Sequence, residues 1–335
     1  MQKILIIIPL ILMLSLIETE ARLGGSGANF LAIGGGGRAL SLSGAYSAMA
    51  NDLDALFYNP AGIAHLKQPT IGMTYISYYA EMSYQAAGIA VPLGVVGTMG
   101  FSFTTLQSGD IEITTLDEQN GTGRHYSAND YAFGLTYAKN LTDKFCTGGT
   151  FKVIRQGIDE LSATSWAVDL GATYNTGFRN LRFGFSILNF GPDMQFRGDA
   201  LKFHGKPIDT ESGDTSPNMA EDVLAQWESD KYALPLSFQI GVAYDILNNS
   251  GYRWSVSFDK VNPTDQDETY ATGTELSYRD LLNLRVGYSE RNNRKLTAGA
   301  GIVLPLGQSK LIVDYSFQDH DYLDSLHSMS FSFVF

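Results

Sequence analysis

From Thr70 to its last residue, the chain alternates between large apolar residues and small or polar residues with a period of two. For example, Phe183 and Phe185 alternate with Gly184 and Ser186. Successive side chains of a strand point to opposite faces of a sheet, so this pattern predicts strands with one apolar and one polar face. Fourteen such segments occur, most of about 9–11 residues, the length of a tilted strand that crosses a bilayer. The segments are 70–79, 83–92, 94–105, 129–139, 144–155, 164–174, 180–189, 234–246, 250–259, 268–278, 282–290, 294–303, 308–317 and 327–335.

The connections between these segments sort by length. Connections after even-numbered segments are short, whereas Leu106–Ala128 and Phe190–Ala233, after odd-numbered segments, are long. Bacterial outer-membrane barrels have an even strand number, short periplasmic turns and long extracellular loops, whereas a soluble β-sandwich does not usually sort its loops in this way. In hydrocarbon every backbone polar group must be paired, and a closed sheet does this without helices. The sequence therefore predicts an all-β fold, a 14-stranded antiparallel transmembrane β-barrel over residues 69–335, with its C-terminus in the periplasm.

The composition narrows the class of protein further. The 335 residues include 12% aromatic residues and 35 glycines but only 10 prolines, and the mean hydropathy is −0.06. This balance is too apolar and too aromatic for a disordered chain. The single cysteine, Cys146, excludes a disulfide scaffold, and we expect it to be buried or lipid-facing. The net charge of −12 leaves no basic footprint, so no nucleic-acid partner is predicted.

The predicted strands carry their charges on the polar face. A Lys or Arg on the lipid face near the bilayer midplane costs roughly 2–4 kcal/mol, so these charges are predicted to line a wet lumen while the apolar face contacts outer-membrane lipid. The predicted lumen charges are Asp169, Arg182, Asp245, Arg253, Glu275, Arg285 and Asp314. The final strand ends in Phe331, Phe333 and Phe335, which are predicted to be the signal for the barrel assembly machinery.

The N-terminus indicates the compartment. Lys3 is followed by the apolar stretch Ile4–Ile17 and by Thr19–Ala21, an imperfect small-residue cleavage site. This pattern is typical of a secretory signal peptide at residues 1–21, with the mature chain starting near Arg22. A single anchoring helix is the less favoured alternative, because the stretch is short and contains Pro9. We therefore expect the protein in the cell outer membrane.

Residues 22–68 have a different character from the strands. They contain the glycine run Gly34–Gly37, small residues at helical spacing over Ser41–Ala50, and turn residues such as Asn59-Pro60. The segment is too short for a large core of its own. It is therefore predicted to be a plug, or hatch, with a short helix, which packs inside or under the barrel from the periplasmic side, blocks the polar lumen and is anchored by Asn59-Pro60. The glycine run lacks the spacing of a phosphate-binding loop.

The plug sequence carries a family resemblance. The matching residues are Arg38, Ala39, Gly44, Asp52, Asp54, Tyr58, Asn59, Pro60, Ala61 and Gly62. With the 14 strands that follow, they resemble the FadL-like superfamily of outer-membrane proteins, and within it the PorV/PorQ family most closely. The PorV/PorQ resemblance implies a role in protein export of the type IX secretion kind, with secreted proteins or secretion components as partners. The wider resemblance implies the alternative, which is transport of long-chain fatty acids or other hydrophobic molecules through a laterally opening barrel.

A catalytic or metal site is a further functional possibility. Asp319-His320-Asp321, in the last predicted long loop, superficially suits water activation, but a hydrophilic loop with one histidine is far commoner. The other histidines show no metal-ligand spacing, so neither a catalytic site, a metal nor a cofactor is predicted.

Glycines weaken strand packing and permit bends. We therefore expect that the lateral gap through which the barrel would open lies in strands 1 to 3. The glycines of those strands are Gly72, Gly88, Gly97 and Gly100.

Overall fold

Fourteen antiparallel strands close into a barrel in which the first strand pairs with the last. This computed structural model describes residues 25–178, 180–205, 223–290, 296–320 and 324–335, so the predicted signal peptide lies outside the described residues. The strands are β1 Thr70–Ser77, β2 Ser83–Pro92, β3 Thr98–Gln107, β4 Ala128–Asn140, β5 Phe145–Ile158, β6 Leu161–Asn175, β7 Arg182–Phe190, β8 Ser237–Asn248, β9 Tyr252–Pro263, β10 Thr269–Tyr278, β11 Leu282–Ser289, β12 Leu296–Leu306, β13 Ser309–Gln318 and β14 Leu326–Val334. The predicted barrel is confirmed.

Strand ends differ from the prediction by a few residues. The third segment was expected to begin at residue 94, but Gly94–Val96 form a 3-10 turn and Gly97 has a φ of 132°. A φ in this region is open to glycine and costly for other residues, so the chain turns here before β3 begins.

The helices are short. They are α1 Gly37–Ser41 and α2 Ala55–Tyr58, with 3-10 turns at Asn29–Ala32, Pro60–His65 and Asp199–Leu201. Two small hairpins lie in the long loops, one pairing Ile111–Glu112 with His125–Tyr126 and the other pairing Lys202–Gly205 with Val223–Gln226. No helix within the described part of the chain is long and apolar enough to cross a membrane.

The outer face of the barrel is apolar between two belts of aromatic residues. Side chains such as Leu135, Leu170 and Leu284 are more than half exposed on this face. The short-turn belt contains Tyr137, Tyr174, Tyr252 and Tyr278, and the long-loop belt contains Tyr131, Trp166, Tyr270 and Tyr288. An apolar band with aromatic girdles is the surface that a barrel presents to hydrocarbon. We call the long-loop end of the barrel upper and the short-turn end lower.

The N-terminal segment, residues 25–68, runs down the inside of the barrel. Gly27 N donates to Ala233 O and Ala28 N to Gln156 Oε1, each over 2.9 Å, at the upper end. Further along, Asn140 Nδ2 donates to Ala64 O over 3.0 Å at the lower end. The segment was expected on the short-turn side of the barrel, but its start lies at the upper, long-loop end. Phe30, which is 2% exposed, finds its apolar surroundings in the upper lumen.

The glycines of β1 to β3 mark close packing rather than a gap. β1 pairs with β2 over eight consecutive residues and β2 with β3 over ten, so the wall is continuous there. A Cβ on Gly88 would lie 2.6 Å from Leu56 Cδ1, and one on Gly100 2.7 Å from Leu56 Cδ2. Leu53 lies against Gly72 in the same way. These glycines are sockets for the N-terminal segment, and the hypothesis of a gap in strands 1 to 3 is wrong for this conformation.

Candidate functional site

The Asn59-Pro60 turn is bound tightly to β5 and β6. Asn59 Nδ2 donates to Ser47 O over 2.8 Å and to Ala172 O over 3.2 Å, while Asn59 Oδ1 accepts from Ala61 N. Pro60 lies directly on Gly148, where a Cβ would be 2.7 Å from the proline carbonyl. Asn59 is fully buried, so all of its hydrogen bonds are made within the protein. These contacts support the predicted anchoring role, which stays a prediction.

The small residues of the motif allow the N-terminal segment to fold on itself. Ala39 and Ala61 are fully buried, and a Cβ on Gly62 would lie 2.7 Å from Ala50 O. The Tyr58 ring packs edge-on against Tyr46, with ring centroids 5.6 Å apart. Gly44, in contrast, has space around it, and its φ of 76° is what favours glycine there. The motif is therefore mainly a packing unit.

An ion-pair network joins the N-terminal segment to the opposite wall. Arg38 donates to both carboxylate oxygens of Glu275 on β10, over 2.7 and 2.9 Å, and its Nη1 donates to Asp52 Oδ2 over 2.8 Å. Arg285 on β11 donates to Glu275 Oε2 over 2.8 Å and to Asp314 Oδ1 on β13 over 2.5 Å. Bidentate hydrogen bonds between charged groups, such as those of Arg38 with Glu275, are among the strong hydrogen bonds in proteins. We call Arg38, Asp52, Glu275, Arg285 and Asp314 the lumen ion-pair network.

The remaining predicted lumen charges also face inward. Arg253 Nη2 lies 3.9 Å from Glu275 Oε1, beside the network. Arg182 and Asp245 form a separate pair at 2.7 Å, nearer the lower rim. Asp169 pairs instead with a residue that the sequence analysis did not single out, Lys152, at 2.6 Å.

Two buried charges were missed, although strand parity would have found both. Lys152 shares its face of β5 with Thr150 and Ile154, all of them buried. Asp259 on β9 is fully buried and accepts a hydrogen bond from Ser47 N over 2.8 Å. It therefore gives the N-terminal segment a second charged attachment.

Burial shapes the titration of the N-terminal segment. Burial raises the pKa of the Asp54 carboxyl well above its usual value, and the nearby charges of Asp52 and Asp314 raise it further. Burial lowers the pKa of Arg38, but Glu275 and Asp52 outweigh this and raise it well above its ordinary value. Arg38 therefore stays charged, whereas Asp54 favours its neutral form.

The upper lumen is apolar. Large inward side chains there are buried together, in what we call the upper apolar cluster: Phe30, Ile76, Tyr84, Ile154, Met194 and Leu234. A cavity of only about 20 Å³ remains beside it, lined by Leu31, Phe57, Tyr84 and Lys152 among others, which is room for about one water molecule. A larger cavity, of about 370 Å³, lies at the lower end, where Arg38, Asp54 and Lys310 face it.

The pairing of β6 with β7 is irregular beside this cluster. The register shifts between Val168 and Leu170, opposite Asn189, whose φ is 62°. Asn189 N donates to Asp169 Oδ1 over 2.8 Å, and Lys152 Nζ donates to Asn189 Oδ1 over 2.9 Å. Above this point β7 ends at Phe190, and β6 is flanked by the following loop. We call this place the β6–β7 seam. Where the strand ladder is interrupted, the hydrogen bonds of Asn189 with Asp169 and Lys152 connect β7 to its neighbours.

The structure also places the remaining residues that the sequence analysis named. Cys146 is buried, as expected, and its Sγ donates to Asn140 Oδ1 over 2.7 Å. The His320 ring packs edge-on against Tyr79, whereas Asp321 lies outside the described residues. Phe331 and Phe335 are exposed on the outer face. Among the described residues, no three His, Cys, Asp or Glu side chains come together as metal ligands.

Known proteins share the fold without close sequence similarity. No protein-family model and no curated protein sequence matches the chain. A solved structure of the CymD monoaromatic hydrocarbon channel matches with a TM-score of 0.58 and 11% identity, over 90% of this chain and 98% of that one. The Pseudomonas putida toluene transporter TodX matches with a TM-score of 0.57 and 12% identity over the same shares. A Pseudomonas aeruginosa FadL homologue matches with a TM-score of 0.53 and 12% identity, again over 90% and 98%.

These likenesses agree with the FadL-like architecture that the motif residues implied. At such low identity they show a common fold. The finer resemblance to the PorV/PorQ family stays a prediction.

Proposed function

We propose that the protein is an outer-membrane channel for small hydrophobic molecules, with its long loops outside the cell and its short turns and C-terminus in the periplasm. The upper apolar cluster is the observation that carries this proposal. A water-filled barrel lines its lumen with polar side chains, but here Phe30, Tyr84 and Ile154 occupy the upper lumen. An apolar molecule that entered there would gain roughly 25 cal/mol for each Å² removed from water.

Passage requires movement, because the side chains of the upper apolar cluster are buried against one another in the upper lumen. The β6–β7 seam lies next to the cluster, and its ladder is interrupted at Asn189. We propose that an apolar molecule reaches the cluster from the loops and leaves it when Asn189 loses its hydrogen bonds with Lys152 and Asp169, so that β7 separates from β6 at the seam. The lumen ion-pair network then holds the lower half of the N-terminal segment in place and limits leakage of water and ions.

The solved structures that share the fold support this substrate class. Two of those proteins are a monoaromatic hydrocarbon channel and a toluene transporter. They favour hydrophobic transport over the protein-export role that the PorV/PorQ resemblance implies. The export role is the competing hypothesis. It is tested by asking whether secreted proteins copurify with the barrel.

The test is uptake of radiolabelled toluene and of a long-chain fatty acid by cells that carry the full-length protein. Phe30→Ser combined with Ile154→Thr makes the cluster polar. Uptake should fall by about tenfold, since each 1.4 kcal/mol of lost contact is a factor of ten. The control is Val153→Thr, which alters the outward neighbour of Ile154. Equal uptake by both variants would contradict the proposal. If the wild type took up neither compound and secreted proteins copurified with the barrel, the export role would be favoured.

A further inference from the structure

Arg155 is a cation on the outer face of the barrel, close to the upper end of β5. On β5 it lies between Tyr131 of β4 and Thr164 of β6, with Val153 below it on the same face. It is exposed, and no carboxylate among the described residues lies within ion-pair distance of it. Lys260, another outward cation near the upper rim, is by contrast paired with Glu268 at 2.7 Å.

The height of Arg155 places it at the edge of the apolar band. Ten residues separate it from Phe145, which lies at the lower end of the same strand. At about 3.3 Å per residue and a tilt of about 40°, this span covers roughly 25 Å of membrane thickness, which is the height of the apolar band. A guanidinium at that level meets lipid headgroups, where its cost falls to roughly 0–1 kcal/mol.

A cavity of about 640 Å³ lies beside Arg155, on the outer surface of the upper wall. Its lining combines three chemistries: the cation of Arg155, the oxygen-bearing side chains of Asp159 and Asn129, and the rings of Tyr131 and Phe133. Asn129 Nδ2 donates to Ser127 Oγ over 2.9 Å, and Asp159 N is held by Ser127 O, so this rim is ordered by its own hydrogen bonds.

The aromatic side chains continue downward from the cavity as an apolar track. The Phe103 ring lies 4.9 Å from that of Phe133 and 6.3 Å from that of Tyr131, measured between centroids. All three side chains are on the outer face, at or below the level of Arg155. Such a track suits an acyl chain that leaves a headgroup bound above it.

We propose that this cavity binds a phosphorylated glycolipid of the outer leaflet. Its phosphate is bound by Arg155, because the planar guanidinium forms paired hydrogen bonds with phosphate. The sugar hydroxyls donate to the Asp159 carboxylate and to Asn129 Oδ1, which a simple glycerol headgroup reaches less well. The acyl chain lies on Phe133 and Phe103. The site is separate from the lumen, and it rests on the proposed orientation of the barrel, in which the long loops lie outside the cell.

The test uses the full-length barrel in nanodiscs of phosphatidylcholine, with added bis-phosphorylated lipid A as the probe and native mass spectrometry as the readout. Arg155→Gln should reduce retained lipid A by about tenfold, the loss expected for a charged bidentate contact. Arg155→Lys should fall between the wild type and Arg155→Gln, because it keeps the charge and loses the paired geometry. Lys260→Gln, on the paired cation, is the control and should retain lipid A fully.

Headgroup competition identifies the lipid. Lipid A without its phosphates, phosphatidylglycerol and inorganic phosphate should each compete poorly with bis-phosphorylated lipid A. Equal binding of the dephosphorylated lipid, equal displacement by phosphatidylglycerol or inorganic phosphate, or wild-type retention by Arg155→Gln would each overturn the proposal. Hydrocarbon uptake is unaffected by any of these results, so the channel function and the lipid site fail independently.

Discussion

Two walls of the barrel hold the same N-terminal segment by different chemistry. The wall from β1 to β6, called the neutral wall below, holds the segment by uncharged contacts, with Leu53 and Leu56 packed on glycines and Asn59 hydrogen-bonded to backbone. The wall from β9 to β13 also has glycines facing α1, but it adds charge, with Arg38 bound by Glu275 and Ser47 N bound by Asp259. The neutral wall fixes the shape of the segment, and the charged wall fixes its position.

The difference bears on which wall can release the segment. Packing of apolar side chains into sockets is short-ranged and is lost only when the segment moves away. An ion pair is also weakened when one partner changes its charge. A buried charge that is left without its partner then destabilises the folded protein. We therefore expect the charged wall to control release and the neutral wall to control the folded shape.

The largest expected effect comes from breaking the charged wall. Glu275→Gln leaves Arg38 and Arg285 without their common carboxylate, and removal of one partner of a buried pair costs about 3–5 kcal/mol. The free energy of unfolding should fall by this amount, measured by urea titration of the barrel in detergent micelles. Leak current in planar bilayers should also rise.

The matched control is Glu268→Gln, which breaks the exposed pair with Lys260. Exposed pairs contribute about 0–1 kcal/mol, so little change is expected. If Glu275→Gln destabilised the barrel no more than Glu268→Gln, the charged wall would have no special role.

A smaller effect is expected from emptying a socket in the neutral wall. Leu56 is 1% exposed, and Leu56→Ala leaves a cavity against Gly88 and Gly100. Buried Leu→Ala changes cost about 2–5 kcal/mol, and the same urea titration measures the loss. Leu135→Ala on the lipid face, where Leu135 is 55% exposed, is the control. Comparable losses in both variants would show that the sockets do not hold the segment.

The smallest effect concerns Asp54, which lies between the two walls. Because burial raises its pKa in the folded protein, its neutral form contributes stability that is present below its ordinary pKa and is lost as pH rises through the raised one. Asp54→Asn should remove this decline, so unfolding titrations across the acidic to neutral range should give a flatter profile than the wild type. If the free energy of unfolding of the variant depended on pH as steeply as that of the wild type, other groups would cause the pH dependence.

The sequence predicts the wall of the barrel well, because each strand repeats the same local alternation. Glu275, Arg285 and Asp314 share the polar parity, and all three face the lumen. Parity could have added Lys152 and Asp259 as well. Strand ends were less accurate where a turn competes with extension, as at Gly94–Val96.

The interior could not be predicted in the same way. The sockets at Gly88 and Gly100 depend on contacts with Leu56, which is more than 30 residues away along the chain, so the glycines alone suggested weakness. The upward position of Phe30 and the bulge at Asn189 likewise depend on partners that only the closed barrel supplies.

The lengthwise path of the N-terminal segment brings it to the place where the barrel closes. A closed ring of hydrogen-bonded strands has no side entrance in β1 to β3, and the segment reaches from one mouth to the other. Gly36 N donates to Thr74 Oγ1 on β1, which in turn meets Ser330 Oγ on β14, where the ring closes. Thr74 therefore joins the N-terminal segment to both strands of the closing pair, so the packing of the lumen and the closure of the wall share one residue.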